Sequence, residues 1–131
     1  MNNVTIFNDI KTINLPKLED IQYYIYVLEN DLGYIKIGIT KNISQRTLSL
    51  SGSNGGGGRI IRVLVSQPTY LKTLERIFHT IYRDYRIEGT EWFKDILFED
   101  VAAKMNEVFN SNEYIKCNEL RKNAGGYRYK S

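Results

Sequence analysis

Cysteine, histidine and long apolar runs are all scarce in this chain of 131 residues. Cys117 is the single cysteine, so an internal disulfide and a thiolate zinc site are both excluded. No apolar run approaches the roughly 18 residues of a membrane-spanning helix, and the first residues lack the basic and apolar regions of a signal peptide. These absences predict a cytoplasmic protein with no membrane partner, in a bacterial cell or a phage-infected host.

The composition is that of one ordinary globular domain. Hydrophobic residues make up 42% and charged residues 25%, which excludes wholesale disorder. The net charge of +3 permits a nucleic-acid partner without requiring one. We therefore divide the chain into an N-terminal arm (residues 1–20), a folded domain (21–111) and a basic, flexible C-terminal tail (112–131).

A β-hairpin opens the predicted domain. Residues 23–30 and 34–40 are rich in tyrosine and isoleucine, which favour strands, and Gly33 supplies the turn between them. The first strand has apolar residues on both faces, which is typical of a buried strand. In the second strand, alternation puts Lys36 and Gly38 on the face opposite the isoleucines. The hairpin thereby brings the phenol of Tyr26 near the ammonium of Lys36.

The remaining segments alternate between helical and strand patterns. We predict helices over 43–50, 70–85 and 98–110 and a strand over 59–66, which completes the order β-β-α-β-α-α. This order predicts an α+β fold with a small three-stranded antiparallel sheet flanked by helices. The glycine-rich residues 52–58 precede no Lys-Ser/Thr pair and no helix, so a P-loop is excluded. A flexible surface loop and a loop that closes over nucleic acid stay open as explanations.

Five fragments follow one another along the chain: Tyr-Ile-Tyr-Val-Leu, Ile-Lys-Ile-Gly-Ile-Thr, an arginine in the first helix, Glu-Arg-Ile-Phe-His, and Gly-Thr-Glu-Trp-Phe. In this order and spacing the chain resembles the GIY-YIG nuclease superfamily, and most closely its phage T5 Orf172-like branch. The resemblance spans about residues 22–110. It implies a GIY-YIG-like fold and an enzyme, a DNA endonuclease that hydrolyses phosphodiester bonds with a single Mg²⁺ or Mn²⁺ ion.

The same resemblance assigns roles to five side chains. Tyr26 would be the general base or would position the attacking water. Lys36 replaces the second motif's tyrosine, as is common in this branch, and its ammonium would favour the phenolate of Tyr26. Arg46 would clamp the scissile phosphate, Glu75 would ligate the metal ion, and His79 would assist proton transfer or contact phosphate.

Other residues are assigned to structure or to nucleic-acid binding. Tyr24 stands where the first motif has a glycine, Gly38 allows a close approach of backbone or substrate, and Trp92 seals the core. The predicted phosphate contacts come from basic side chains spread along the chain, namely Arg46, Arg59, Arg62, Arg121, Lys122 and Arg128. The expected partner is duplex or branched DNA. Because one site makes one nick, a homodimer would be needed for a double-strand cut.

Each of these residues also has a structural explanation. Tyr26 is also explained as a core aromatic, Glu75 as the partner of Lys72 or Arg76 in a salt bridge, and His79 as a hydrogen-bonded helix residue. A rival function is a catalytically silent nucleic-acid-binding or regulatory module. A phage protein that acts against a host defence is a further alternative.

Overall fold

The computed structural model describes residues 4–19, 22–50, 58–111 and 113–116. Its main elements are β1 (Val4–Phe7), β2 (Tyr24–Asn30), β3 (Ile35–Thr40), α1 (Ile43–Leu50), β4 (Ile60–Ser66), α2 (Leu71–Ile81), β5 (Trp92–Phe93) and α3 (Phe98–Ser111). The predicted α+β class is confirmed. None of the helices in the described ranges has the length and apolar content needed to cross a membrane.

The sheet has five antiparallel strands in the order β1-β4-β2-β3-β5, so the prediction of three strands was wrong. The two missed strands lie at the edges. β1 comes from the N-terminal arm and pairs with β4, while β5 is only two residues long and pairs with Ile35 and Lys36 of β3. Such short edge strands carry little alternation, and their pairing partners are distant in sequence.

The predicted hairpin is present, with Tyr26 opposite Gly38 and Leu28 opposite Lys36. Gly33 has a φ of 84°, a conformation that favours glycine in the turn. At Gly38 the reason for glycine is space, because an added β-carbon would lie 2.5 Å from the Tyr26 hydroxyl. The close approach that was predicted at this glycine is therefore made by the ring of Tyr26.

Both faces of the sheet are covered, which explains why β2 has apolar side chains on both faces from Tyr24 to Leu28. On one face, Ile25 and Val27 pack with side chains of α2 and α3. On the other face, Tyr24 and Tyr26 pack with Ile43 of α1 and with apolar residues of the N-terminal arm. The Tyr24 hydroxyl donates a hydrogen bond of 2.8 Å to the backbone carbonyl of Pro16, which ties the arm to the sheet.

Helix α2 is shorter than predicted. It ends at Ile81, and a turn of 3-10 helix follows over Arg83–Tyr85. As a result Ile81 and Tyr85 are exposed, whereas Tyr82 joins the core in their place. The predicted 70–85 helix was therefore too long at its C-terminal end.

Replacing Gly38 with alanine tests the packing of Tyr26 against the strand. We expect Gly38→Ala to lower the free energy of unfolding by about 1–3 kcal/mol, because the new methyl group overlaps the Tyr26 ring. Urea denaturation measures this change. In a Tyr26→Ala background the overlapping atoms are gone, so the same substitution should cost much less. An equal loss in both backgrounds would contradict the packing argument.

Candidate functional site

Tyr26 lies on the sheet face that α1 covers, and its side chain is 2% exposed. Its hydroxyl has no hydrogen-bond partner within the described part of the chain. Among the described residues, Asn30 Nδ2 is the one fully buried side-chain polar atom without a partner. The Tyr26 hydroxyl therefore keeps a small contact with solvent, although the residue as a whole is buried in the core.

Three charged side chains from separate elements act on this hydroxyl. Burial raises the pKa of Tyr26 to about 12, Arg46 of α1 lowers it, and Glu75 of α2 and Glu91 both raise it. Effects of this kind require charges close to the phenol. The charges of Arg46 and Glu75 therefore both act on Tyr26, although α1 and α2 belong to opposite faces of the sheet.

The expectation that Lys36 would favour the phenolate of Tyr26 was wrong. The Lys36 ammonium donates a hydrogen bond of 2.9 Å to Glu91 Oε1, and this carboxylate balances its charge. The hydrogen bond and the positive charge of Lys36 lower the pKa of Glu91. Desolvation then dominates at Tyr26 and raises its pKa instead of lowering it. Tyr26 is a neutral phenol at pH 7.

Glu91 is the residue of this site that the sequence interpretation missed. It immediately precedes Trp92, which pairs with Lys36 in the β3–β5 ladder, and this register delivers the carboxylate to the ammonium. His79 and Arg86 also lower the pKa of Glu91, so it lies among positive groups. The fragment Gly-Thr-Glu-Trp-Phe contains this glutamate, but the sequence analysis gave a role only to its tryptophan.

The ring of His79 is engaged with the backbone. Its Nε2 lies 2.8 Å from the carbonyl oxygen of Ile37, and a carbonyl only accepts, so Nε2 donates. Ile37 lies just past the two β3 residues that pair with β5, which means that the imidazole occupies the open edge of β3. The ring also contacts Phe93 edge-on, with centroids 5.4 Å apart. Only Nδ1 remains for contact with a substrate.

Lys36 binds Glu91 and His79 binds the Ile37 carbonyl, whereas Arg46 and Glu75 have no ion-pair partner among the described residues. In the described part of the chain Glu75 forms no ion pair with Lys72 or Arg76, which removes the salt-bridge explanation for this residue. The side chain of Arg46 is exposed and forms no ion pair with any described residue. Two opposite charges without partners therefore flank the phenol.

The described residues contain no group of three or more histidine, cysteine or acidic side chains that would enclose a metal ion. A zinc site built on Glu75 and His79 therefore has no further protein ligands in these ranges. Mg²⁺ is different, because it is held through one or two carboxylates together with water and substrate phosphate. The single carboxylate of Glu75 fits a cation of this kind.

Arg62, which the sequence analysis assigned to phosphate binding, is held in ion pairs within the protein. Its guanidinium binds Glu29 at 2.7 Å and Glu99 at 2.9 Å, and it lies 4.2 Å over the ring of Phe98. Two carboxylates therefore compensate the one charge, and Arg62 joins β4 to β2 and α3.

The other predicted structural and binding residues are divided among separate places. Arg59 lies beside Asp31 at the turn, about 16 Å along the strand from Tyr26, and is not part of the same cluster. Tyr24 and Trp92 are buried on the α1 side of the sheet, which fits their predicted structural role. Arg121, Lys122 and Arg128 lie outside the described residues, as does all of the glycine-rich segment except Gly58.

A family model of the T5orf172 domain matches residues 23–119. Since this match covers most of the chain, the protein belongs to the T5orf172 domain family. The matched region includes Tyr26 and the charged side chains around it, namely Lys36, Arg46, Glu75 and Glu91. A search of the curated proteins and a search of the solved structures found no match.

The raised pKa of Tyr26 predicts a specific loss of stability at alkaline pH. An unfolded tyrosine ionises near pH 10, whereas folded Tyr26 keeps its proton until about pH 12. Between these values the unfolded state releases a proton that the folded state retains, so stability falls as pH rises, by about 3 kcal/mol in total.

Urea unfolding of the wild type and of Tyr26→Phe at pH 8, 10 and 11 measures this effect. The wild type should lose more stability than the variant over this range, because phenylalanine does not titrate. Parallel losses in the two proteins would show that Tyr26 ionises at the ordinary value.

Proposed function

We propose that this member of the T5orf172 domain family is a DNA endonuclease that depends on a divalent cation and uses a single GIY-YIG-type site centred on Tyr26. Membership of the family supports a nuclease-like or DNA-binding module. The observation that carries the proposal is the presence of Arg46 and Glu75, without ion-pair partners among the described residues, around one phenol that touches solvent.

Arg46 supplies the phosphate-binding group. Its planar guanidinium presents five N–H donors in a geometry that matches two phosphate oxygens, and its exposure on α1 leaves it open to a strand approaching from solvent. Arginine also brings a positive charge next to the phosphate. It therefore both holds the scissile phosphate and offsets the negative charge that grows on phosphorus-bound oxygens in the transition state.

Glu75 supplies the carboxylate for a cation. A bound Mg²⁺ or Mn²⁺ would polarise the phosphate and offset charge on the leaving oxygen. Glu75 also raises the pKa of Tyr26, so neutralising this carboxylate would remove one of the influences that keep the phenol protonated. Glu75 thus couples the charge state of the metal site to the phenol.

Tyr26 acts as a neutral hydroxyl when substrate first binds, because its pKa is about 12. In this state it holds the attacking water through a hydrogen bond. In the hydrolysis, the water oxygen forms a bond to phosphorus and the opposite phosphorus–oxygen bond breaks with its electron pair. The attacking water releases one proton, and the leaving oxygen gains one. The raised pKa favours this water-positioning role over that of a standing phenolate base.

A silent DNA-binding module is the second candidate, and a specific set of contacts favours it. Glu91 neutralises Lys36, Ile37 occupies Nε2 of His79, and Tyr26 is protonated. Such a module would keep the phosphate contact of Arg46 without turnover.

Comparing DNA cleavage by the wild type and by Glu75→Gln distinguishes the endonuclease from the silent module. With Mg²⁺ or Mn²⁺, wild-type protein should convert supercoiled plasmid to the nicked form, and EDTA should stop the reaction. Glu75→Gln should lower the rate by at least about 100-fold, because the amide is a poor ligand for the cation. Gel electrophoresis of timed samples gives the rates.

The matched control is Glu107→Gln, which removes an exposed carboxylate of α3 outside the site and should cleave like the wild type. If wild type and Glu75→Gln both bind single-stranded, duplex and branched DNA but neither cleaves any of them, the silent module is the correct function.

Two arginines give a separate test of phosphate binding. Arg46→Gln should weaken binding to duplex DNA in EDTA and reduce the slope of log affinity against log salt by about 1, the value for one lost phosphate contact. Fluorescence anisotropy over a series of salt concentrations measures both. Arg62→Gln should leave affinity and slope unchanged, but it should lower the free energy of unfolding by about 1–2 kcal/mol because two carboxylates lose their partner. The opposite pattern would mean that Arg62 is the phosphate ligand.

A further inference from the structure

An open pocket of about 520 Å³ lies at one end of the sheet, beside the first turn of α2. Its volume is in the range of small-ligand sites. The rings of Tyr23 and Tyr70 and the amides of Gln22 and Gln67 line it, and Lys72 lies at the beginning of α2. None of these residues belongs to the cluster around Tyr26.

The lining has the chemistry that recognises an unstacked nucleobase. Tyrosine rings offer faces for stacking, and amide groups both donate to and accept from the polar edge of a base. Within the described part of the chain, the side chains of Gln22 and Gln67 form no hydrogen bond and Lys72 forms no ion pair. These polar groups are therefore available to a ligand.

Tyr70 is the more exposed of the two pocket tyrosines, with 43% of its surface accessible to solvent. Its backbone is left-handed, with a φ of 55°, which costs a residue with a side chain roughly 1–2 kcal/mol and costs glycine very little. An exposed ring contributes little to the hydrophobic core. The tyrosine at this position is best explained by contact of its ring with a molecule outside the chain.

The pocket adjoins the candidate site along two elements. On α2, Leu71 and Lys72 precede Glu75 by four and three residues, so they share its helix face at a β-carbon spacing of about 5–6 Å. Tyr23 immediately precedes β2, roughly 10 Å of extended chain before Tyr26, and alternation puts the two rings on opposite faces of the sheet. A strand that carries a phosphate next to Glu75 therefore brings a neighbouring nucleotide along the same face of α2 to this pocket.

We propose that the pocket beside Tyr70 receives one unstacked base of a DNA strand, next to the phosphate held at Arg46 and Glu75. The identity of the ligand as DNA rests on the proposed function, but binding of the base does not depend on cleavage. A fully paired duplex must unpair that base at a cost of a few kcal/mol. The preferred substrates are accordingly single-stranded, bulged or branched DNA, and a fully paired duplex binds more weakly.

Binding in EDTA tests this inference without cleavage. Fluorescence anisotropy compares three labelled DNAs of equal length, namely a paired duplex, the same duplex with one bulged base, and a single strand. Wild type should prefer the last two. Tyr70→Ala should weaken binding to the bulged duplex by about 5- to 150-fold, the loss expected for one base–aromatic stack. Tyr70→Phe keeps the ring and should stay within about threefold of the wild type.

Tyr85→Ala is the matched control, because Tyr85 is 44% exposed and lies outside the pocket. It should bind all three DNAs like the wild type. Tyr70→Gly removes the ring and also relieves the left-handed backbone, so it separates loss of the stack from loss of folding. It should bind as weakly as Tyr70→Ala while unfolding at a higher urea concentration.

The inference is overturned if Tyr70→Ala and Tyr70→Gly bind the bulged duplex as tightly as the wild type. Binding of a free mononucleotide as tightly as the bulged duplex would also overturn it, since the ligand would then not be a strand. A cleavage assay with Mg²⁺ is run alongside. If the wild type cleaves DNA but the Tyr70 variants bind it unchanged, only the pocket proposal is wrong. If the preference for unpaired bases depends on the Tyr70 ring but no cleavage occurs, only the endonuclease proposal is wrong. If wild type binds none of the DNAs, both are defeated.

Discussion

The packing of Tyr26 against Gly38 is the constraint on which the candidate site depends. The two residues are directly opposite each other in the β2–β3 ladder, and the ring occupies the space that a β-carbon at position 38 would fill. This contact holds the phenol close to β3, with its hydroxyl still in touch with solvent. The charges of Arg46 on α1, Glu75 on α2 and Glu91 just before β5 then act on the same phenol. Without a glycine on β3 the ring would be displaced, and the charges would have no common centre.

Charge balance around that phenol determines what the free protein is able to do. Glu91 compensates Lys36, and burial outweighs the influence of Arg46, so Tyr26 remains protonated. Arg46 and Glu75 keep their charges available to a phosphate and a cation. The protein therefore presents one positive and one negative side chain near the phenol. The phenol stays protonated unless the charges around it change. Family membership and this geometry agree on a nuclease-like or DNA-binding module.

Much of the fold was predictable from local pattern. The hairpin, the positive φ of Gly33 and the burial of β2 on both faces follow from strand-forming residues and turn chemistry. The two edge strands were not predictable, because four residues of β1 and two of β5 are too few to show the alternation of a strand. At the candidate site, the fragments that resemble the family singled out Tyr26, Arg46 and Glu75, and the charges of the latter two act on Tyr26 in the folded chain. The fragments did not identify Glu91, and they assigned Arg62 to DNA although it binds Glu29 and Glu99.

By itself the sequence determined which elements form and which chemical groups are present, since propensity, alternation and turn residues act over a few neighbours. Only the tertiary structure decided which charges neutralise one another. Lys36 and Glu91 are separated by more than half of the domain, yet β5 pairs beside Lys36 and brings the carboxylate to 2.9 Å. Ionic contacts and desolvation depend on distance and burial in the folded chain, and neither is a property of a local segment. The same folding left Glu75 without an ion-pair partner in the described part of the chain, which its place in the sequence beside Arg76 and three residues after Lys72 did not indicate.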